Sequence, residues 1–491
     1  MAKIYAETER TLNPSADKST LRFKQSEGFA QFRESPCIFL QCSYYVLMIS
    51  QINYPIFERK PISQMSHISF FVEDWARCAL GLRNGVLCRC FGFLSRRVMV
   101  ESQHQSIKAG ILSSRLANFV RYSMMNLFIV GGIFSMAQGG WWMWVGLALT
   151  LTLVNLVDEL LGDAGKKEAM PPNWYMNLML RLTWPLLFLL TLVCLNIVGG
   201  GHAWIDVGFI ALGVDPVSAR EATGLVTGAG GLITLGMFYG LGGVVVAHNL
   251  THRPFGSFDY LLGRWLLAFT WDTGFAIEHV YGHHRHVCTE KDPASARRGE
   301  YIFFFVVRST IGQFLSGMAF EKSRLKRRGV PNNLWNNVFW RGQLMTLLII
   351  LLFVSLTGPW GILYAAVAAA MGKLYLEMVN YVEHYGLVRI PGQPVQDRHS
   401  WDSHRRLSTG LTYNLPLHSN HHRFATRPFW ALQQANDGAP VWPMGYISII
   451  VISFFPPLWR KVSEPRLADW DSRLASKEER DYLKSIGQLR Q

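Results

Sequence analysis

Charged side chains are scarce in this chain: Asp, Glu, Lys and Arg make up 17% of its 491 residues, against 49% hydrophobic residues with 17 Trp and 30 Phe. That balance argues against the string of soluble domains that the length alone would allow. Cysteine is sparse as well. The seven present form no C-x-x-C pair, and "CRC" (Cys88 to Cys90) is too tight for a zinc ribbon or a rubredoxin-type module. Their odd number favours free thiols over a disulfide framework. No secretion signal is expected either. "CIFLQCSYYVLMI" has 13 residues, too few to span a membrane, and lacks the charged start and small-residue cleavage site of a leader. Residues 1–115 are therefore expected as an N-terminal extension without a legible fold, mobile or interfacial. The alternative is a translation start further on, for example at Met99 or Met124.

Long apolar runs are what the chain has instead. A hydrocarbon core about 30 Å thick takes roughly 20 apolar residues of helix to cross. Six runs approach that size, at 118–137, 140–161, 182–198, 223–247, 344–357 and 361–380. The fold class expected is all-α, a polytopic membrane protein with about six transmembrane helices. The fourth run holds eight glycines, including the pairs Gly224/Gly228 and Gly236/Gly240, which let helix backbones approach closely. It is expected on the inside of the bundle. Trp141, Trp142 and Trp144 open the second run as an interfacial aromatic belt.

Lys and Arg give the orientation. Residues 253–328 carry 12 of them and the connection after the second run carries Lys166 and Lys167, whereas the opposite connections carry only Arg220. Both chain ends and the long segment at 248–343 are thus expected on the cytoplasmic side. A net charge of +14 then reflects basic loops facing anionic membrane lipids, with no nucleic acid as partner.

Twelve of the 15 histidines fall between residues 248 and 422, on that same side. They group as "HNLTH" (248–252), "EHVYGHH" (278–284), "NYVEHYG" (380–386) and "LHSNHH" (417–422). On an α-helix, residues three and four apart share a face. His248/His252, His279/His283 and His418/His421/His422 are therefore each expected to present at least two imidazoles in one direction, as a clamp. Nine clustered imidazoles would be expensive to bury charged, and a metal is the usual way to hold them neutral and ordered. Zinc sites use three or four ligands, while nine suffice for two metals with four or five each. Asn249 stands where H-E-x-x-H would put the general base of a zinc protease, which argues against that reading.

Around these histidines, "GHHRHVCTEKDPASARRGEYIFFFVVRS" (282–309), "NYVEHYGLVR" (380–389) and "FPPLWRKVSEPRL" (455–467) resemble the connecting sequence of one family. It is that of the integral-membrane alkane hydroxylases, or alkane 1-monooxygenases, with xylene monooxygenase among its relatives, inside the wider membrane fatty-acid desaturase and hydroxylase superfamily. The resemblance covers residues from about 118 to 470. It implies a hydroxylase domain at 116–470, with 471–491 as a basic, polar tail. It also implies a cytoplasmic di-iron site whose two non-haem irons are held by His248, His252, His279, His283, His284, His384, His418, His421 and His422. His286, His399 and His404 are left over and expected either behind the ligands or, the preferred reading, at the surface. Two departures are Asn249 and Asn420, where the family usually has Glu and Asp; each removes a carboxylate near the irons, and no ligand is lost.

The activity implied is conversion of a terminal C–H of an alkane or alkyl chain, with O2, two electrons and two protons, into a primary alcohol and water. The electrons would come from a rubredoxin or ferredoxin with its reductase, and the hydrophobic substrate from the bilayer, in a bacterial inner membrane. Carboxylates are expected behind the imidazoles, accepting their free N–H groups. Glu278, Asp292 and Glu383 are candidates by adjacency. Glu377 lies seven residues before His384 on the same helix face, with Lys373 one turn further back as an intramembrane partner. Alternatives are a fatty-acid or lipid desaturase or hydroxylase, a xylene-type methyl hydroxylase, and a metal-handling membrane protein. Desaturases typically carry H-x-x-H-H in the second box where this chain has H-x-x-x-H-H. Metal handling alone leaves "DPASA" and "NYVEHYG" unexplained.

Overall fold

The computed structural model describes residues 115–165, 170–435 and 437–489. But for Arg115, the expected N-terminal extension lies outside them. The described residues contain no β-strand, only the isolated bridges Asp163 to Arg405 and Asp402 to Val441. The helices that matter begin with α1 (Arg115–Ala137), α2 (Gly140–Leu161), α3 (Asn173–Val198) and α4 (Leu225–Thr251). Next come α5 (Phe258–Ala268), a broken helix α6 (275–286) and α7 (Ile302–Arg327). Then follow α8 (Val338–Thr357), α9 (Gly361–His384) and α10 (His418–Arg423). The chain closes with α11 (Tyr446–Ser453), α12 (Pro456–Asp469) and α13 (Lys477–Ser485).

The six expected runs fall in α1 to α4, α8 and α9; α1 to α4 are each long and apolar enough to cross a bilayer, as is the continuous 338–384 segment that holds α8 and α9, so the protein is a multi-pass membrane protein. Helix α4 is the inner one: 89% of its apolar window is buried, against 17% for α2. Its glycines explain why. A Cβ on Gly236 would stand 2.4 Å from the Ala368 carbonyl oxygen, so only glycine lets α4 lie this close to α9. Of the expected tryptophan belt, Trp141 and Trp142 are exposed, but the Trp144 ring turns inward against Gly230.

Helix α7 was not expected. Its length and hydropathy would also allow a crossing, yet both its ends touch the same end of the hairpin made by α8 and α9. Phe305 near its start packs on Tyr381 of α9, and Glu321 near its end accepts a hydrogen bond of 2.7 Å from the Val338 N–H that opens α8. A tight turn at Gly358–Trp360 makes α8 and α9 antiparallel, so α7 lies across the histidine-bearing end of the bundle. Its outer side exposes Phe303, Phe304, Val307 and Ile311, and its last turn is basic. That division suits the plane of a membrane interface.

The segment expected as a polar tail after residue 470 folds back instead. Asp471 pairs with Arg298 at 2.6 Å, both nearly fully buried, and Leu483 of α13 is fully buried. A capping box between Ser476 and Glu479 starts α13.

Candidate metal centre

Four elements bring the nine histidines to one end of the bundle. Helix α4 carries His248 and is followed by His252; α9 ends on His384; α10 begins on His418 and carries His421 and His422. Helix α4 has a π turn just before His248, at Tyr239–Val244, whereas in α6 the π turn falls on the histidines themselves. The Phe275–Glu278 part of α6 is α-helical, but His279–His283 is a π turn. A π turn closes its hydrogen bonds one residue further on than an α turn. Histidines five apart therefore line up: the Nε2 atoms of His279 and His284 are 3.1 Å apart, while His283 is turned aside.

The ring nitrogens sort into two groups, and within each they lie within 4.8 Å of one another. One group is His248, His252, His279, His284 and His421; the other is His283, His384, His418 and His422. The expectation that each stretch acts as one clamp is corrected here. His248 and His252 stay together, as do His418 and His422, but His279 is parted from His283, and His421 from the other two histidines of α10. The two groups are consequently neighbours, with the His284 and His422 rings stacked at 4.3 Å.

These residues fit bound metal. The Nε2 atoms of His421 and His284 are 3.1 Å apart, those of His422 and His418 2.9 Å, and those of His283 and His422 3.2 Å. Such spacings are the edges of a coordination shell about an ion roughly 2 Å from each nitrogen. Both ring nitrogens of His248 and the Nε2 atoms of His252 and His384 are buried without a hydrogen-bond partner, a condition that costs about 1–3 kcal/mol per group unless something satisfies it. Burial, reinforced by the neighbouring imidazoles, pushes His252 down to about 4 and His279, His284, His418, His421 and His422 well below the ordinary histidine value. Neutral rings are the form that ligates metal.

The surroundings orient the rings, partly as expected. His283 donates from Nδ1 to Asp292 at 2.9 Å, and Asp292 also accepts from Ser295 at 2.5 Å. Glu383 was expected behind a ring, but it faces the nitrogens: its Oε2 is 3.0 Å from His418 Nε2, and Tyr446 donates to its other oxygen. Glu278 reaches no imidazole. It accepts from Ser316 at 3.2 Å, on the side toward α7. Glu377 reaches none either; it binds Gln313 at 2.8 Å and Lys373 at 2.7 Å, and Lys373 also holds Asp272 at 2.6 Å. Asn249 and Asn420 bond to backbone groups, not to the histidines.

His399 is not at the surface. It is fully buried, and its carbonyl accepts from His384 Nδ1 at 3.3 Å while its ring donates to Glu479 at 2.8 Å. Burial alone would raise Glu479, but His399 and Arg398 hold it down at about 2. His404, half-buried, lies 3.6 Å from Asp402, and His286 is half-buried outside both groups. Asp402 itself accepts from the Ser419 N–H and hydroxyl, each at 2.8 Å, and so fixes the start of α10 beside His418. Sequence reading missed Asp402, Tyr446 and Glu479, which no spacing connects to the histidines.

A narrow apolar cleft between α4 and α9 runs up to His248, His279 and His418, walled by Val244, Val245, Phe275, Leu376 and Val379.

A family model described as "Fatty acid desaturase" matches residues 223–453. Among known proteins, the chain is 33% identical over 284 residues to alkane 1-monooxygenase 1 of Pseudomonas aeruginosa, covering 57% of this chain and 72% of that protein. To alkane 1-monooxygenase 2 of the same organism it is 30% identical over 338 residues, 66% of this chain and 84% of the relative. To the xylene/toluene monooxygenase hydroxylase component of Pseudomonas putida it is 28% identical over 366 residues, 74% and 92%.

Proposed function

Because the chain belongs to the alkane 1-monooxygenase family of membrane oxidoreductases, we propose that it inserts one oxygen atom of O2 into a terminal C–H of an alkane or alkyl chain. The methyl group, O2, two electrons and two protons give a primary alcohol and one water. The observation that carries this reading is the pair of buried imidazole groups at the inner end of an apolar cleft.

Two iron ions, one in each histidine group, would supply the reduction of O2 and the oxidation of the C–H bond. The chain's own residues do the rest. Val244, Val245, Phe275 and Val379 give His248, His279 and His418 an apolar approach and keep bulk water out. Asp292 fixes the ring orientation of His283, and the His399 carbonyl does the same for His384. Tyr446 holds Glu383 against the four-histidine group. The six apolar helices and the cleft support a substrate drawn from the bilayer, and the basic connections support a cytoplasmic site in a bacterial inner membrane, reached by a rubredoxin or ferredoxin with its reductase.

Purified protein supplied with octane, O2 and either electron carrier with its reductase is expected to form octan-1-ol. An alkene product, or metal binding without oxygen consumption, would overturn the reading.

A further inference from the structure

Two tryptophans tie the histidine-bearing end of α9 to the protein surface. The Trp401 and Trp442 rings stack with centroids 4.1 Å apart and planes 20° apart. Both indole N–H groups donate to the end of α9, Trp401 to the Tyr385 carbonyl and Trp442 to the Val382 carbonyl, each at 3.0 Å. The Trp401 backbone N–H adds a bond of 2.9 Å to the Glu383 carbonyl. One hydrogen bond therefore joins the stacked pair to the residue next to His384. Both rings are nearly fully buried, yet each lines a surface cavity. The Trp401 cavity measures about 510 Å³, the Trp442 cavity about 220 Å³, and Arg466 borders both. The first is large enough for a small molecule. Its walls carry Arg466 and Arg473 beside Asp437 and Asp469, a mixed set that suits a molecule bearing both charges.

Indole is among the most readily oxidised side chains, and this pair suits the loss of an electron. The stacked partner spreads the positive charge, and hydrogen bonds to the two carbonyls strengthen when their donor becomes cationic. A second oxidisable group lies beside the ligands: the buried Cys288 Sγ is 4.0 Å from His384 Nδ1. Sulfur oxidised to sulfinic acid is not ordinarily restored.

Resting on the hydroxylase reading above, we propose that Trp401 and Trp442 form an electron relay that completes O2 reduction when no C–H bond is within reach, supplied by an amino-acid thiol in the Trp401 cavity. In productive turnover the C–H bond gives the last two electrons. Without substrate, Trp401 passes each of them toward His384, and a thiol restores the ring by giving up one electron and one proton. In sum, O2, two electrons from the carrier, two protons and two thiols give two waters and one disulfide, and Cys288 is spared.

The test gives iron-loaded enzyme O2, its electron supply, glutathione and catalase, without alkane. One glutathione disulfide per O2 consumed is expected. With thiol left out, freeze-quenched samples of the unsubstituted protein should show a tryptophan radical by electron paramagnetic resonance, its lines narrowed by ring-deuterated tryptophan. Trp401→Phe keeps a ring in the stack. It is expected to lose the disulfide and the radical and to carry Cys288 as sulfinic acid by mass spectrometry, while still forming octan-1-ol from octane. Disulfide formation that Trp401→Phe leaves unchanged, or no tryptophan radical in the unsubstituted protein, overturns this proposal alone. Absence of any octane oxidation by iron-loaded protein overturns the hydroxylase reading and this proposal with it.

Discussion

Asp292 decides how His283 is offered. By accepting the Nδ1 proton at 2.9 Å it leaves Nε2 facing the four-histidine group. Asp292→Ala is expected to weaken metal binding about 10- to 100-fold, the usual effect of losing such a partner, measured as iron retained per chain against a competing chelator. Retention equal to that of the unsubstituted protein would show that the contact orients nothing. Asp292 and Glu383 were visible in the sequence only as neighbours of histidines, and adjacency misled as often as it helped. Glu278 sits beside His279 in the chain, yet on a helix consecutive residues face different ways, and its carboxylate points to Ser316. Asp402 and Tyr446 gave no signal because each acts on a residue 17 or 63 positions away.

The π turn in α6 is what allows one short segment to serve two groups of histidines. Deleting Tyr281, an exposed residue within the turn, leaves His279 and His284 four apart and favours an ordinary α turn. His284 then stays on the face of His279, but His283, now three residues from His279, is rotated away from its place in the four-histidine group. Iron content is expected to fall to one per chain or less; a deletion variant that still holds two would refute the role given to the turn. The sequence announced the histidines but not their grouping, since α-helical spacing pairs His279 with His283 and the fold pairs it with His284. Helix α7 was hidden for a related reason. Its apolar residues lie in a segment rich in Lys and Arg, so charge assigned it correctly to the histidine side while concealing that it was a helix. The six spans were legible because an apolar run of that length has few other uses. Within α9, Glu377 joins Gln313 of α7 to Lys373. Glu377→Ala is expected to loosen that junction and lower turnover and melting temperature together, and no change in either would contradict it.

At the scale of the whole molecule, the chain end closes the site from behind. Arg298 meets Asp471 at 2.6 Å and also donates to the Gln488 carbonyl at 2.9 Å, while Glu479 holds the turn whose carbonyl positions His384. Removing one partner of such a buried pair typically costs about 3–5 kcal/mol, so Arg298→Ala should unfold at a clearly lower temperature in detergent. A melting temperature unchanged from the parent would mean that the C-terminal segment contributes nothing to the fold. Polar composition had suggested a tail there, because a capped amphipathic helix and a buried ion pair both look hydrophilic in sequence. The central claim is that two adjacent groups, of five and four histidines, each hold iron. Its most direct test is the metal content of protein purified from cells grown with ample iron and zinc. Two iron atoms per chain are expected, and stoichiometric zinc in place of iron would contradict that assignment.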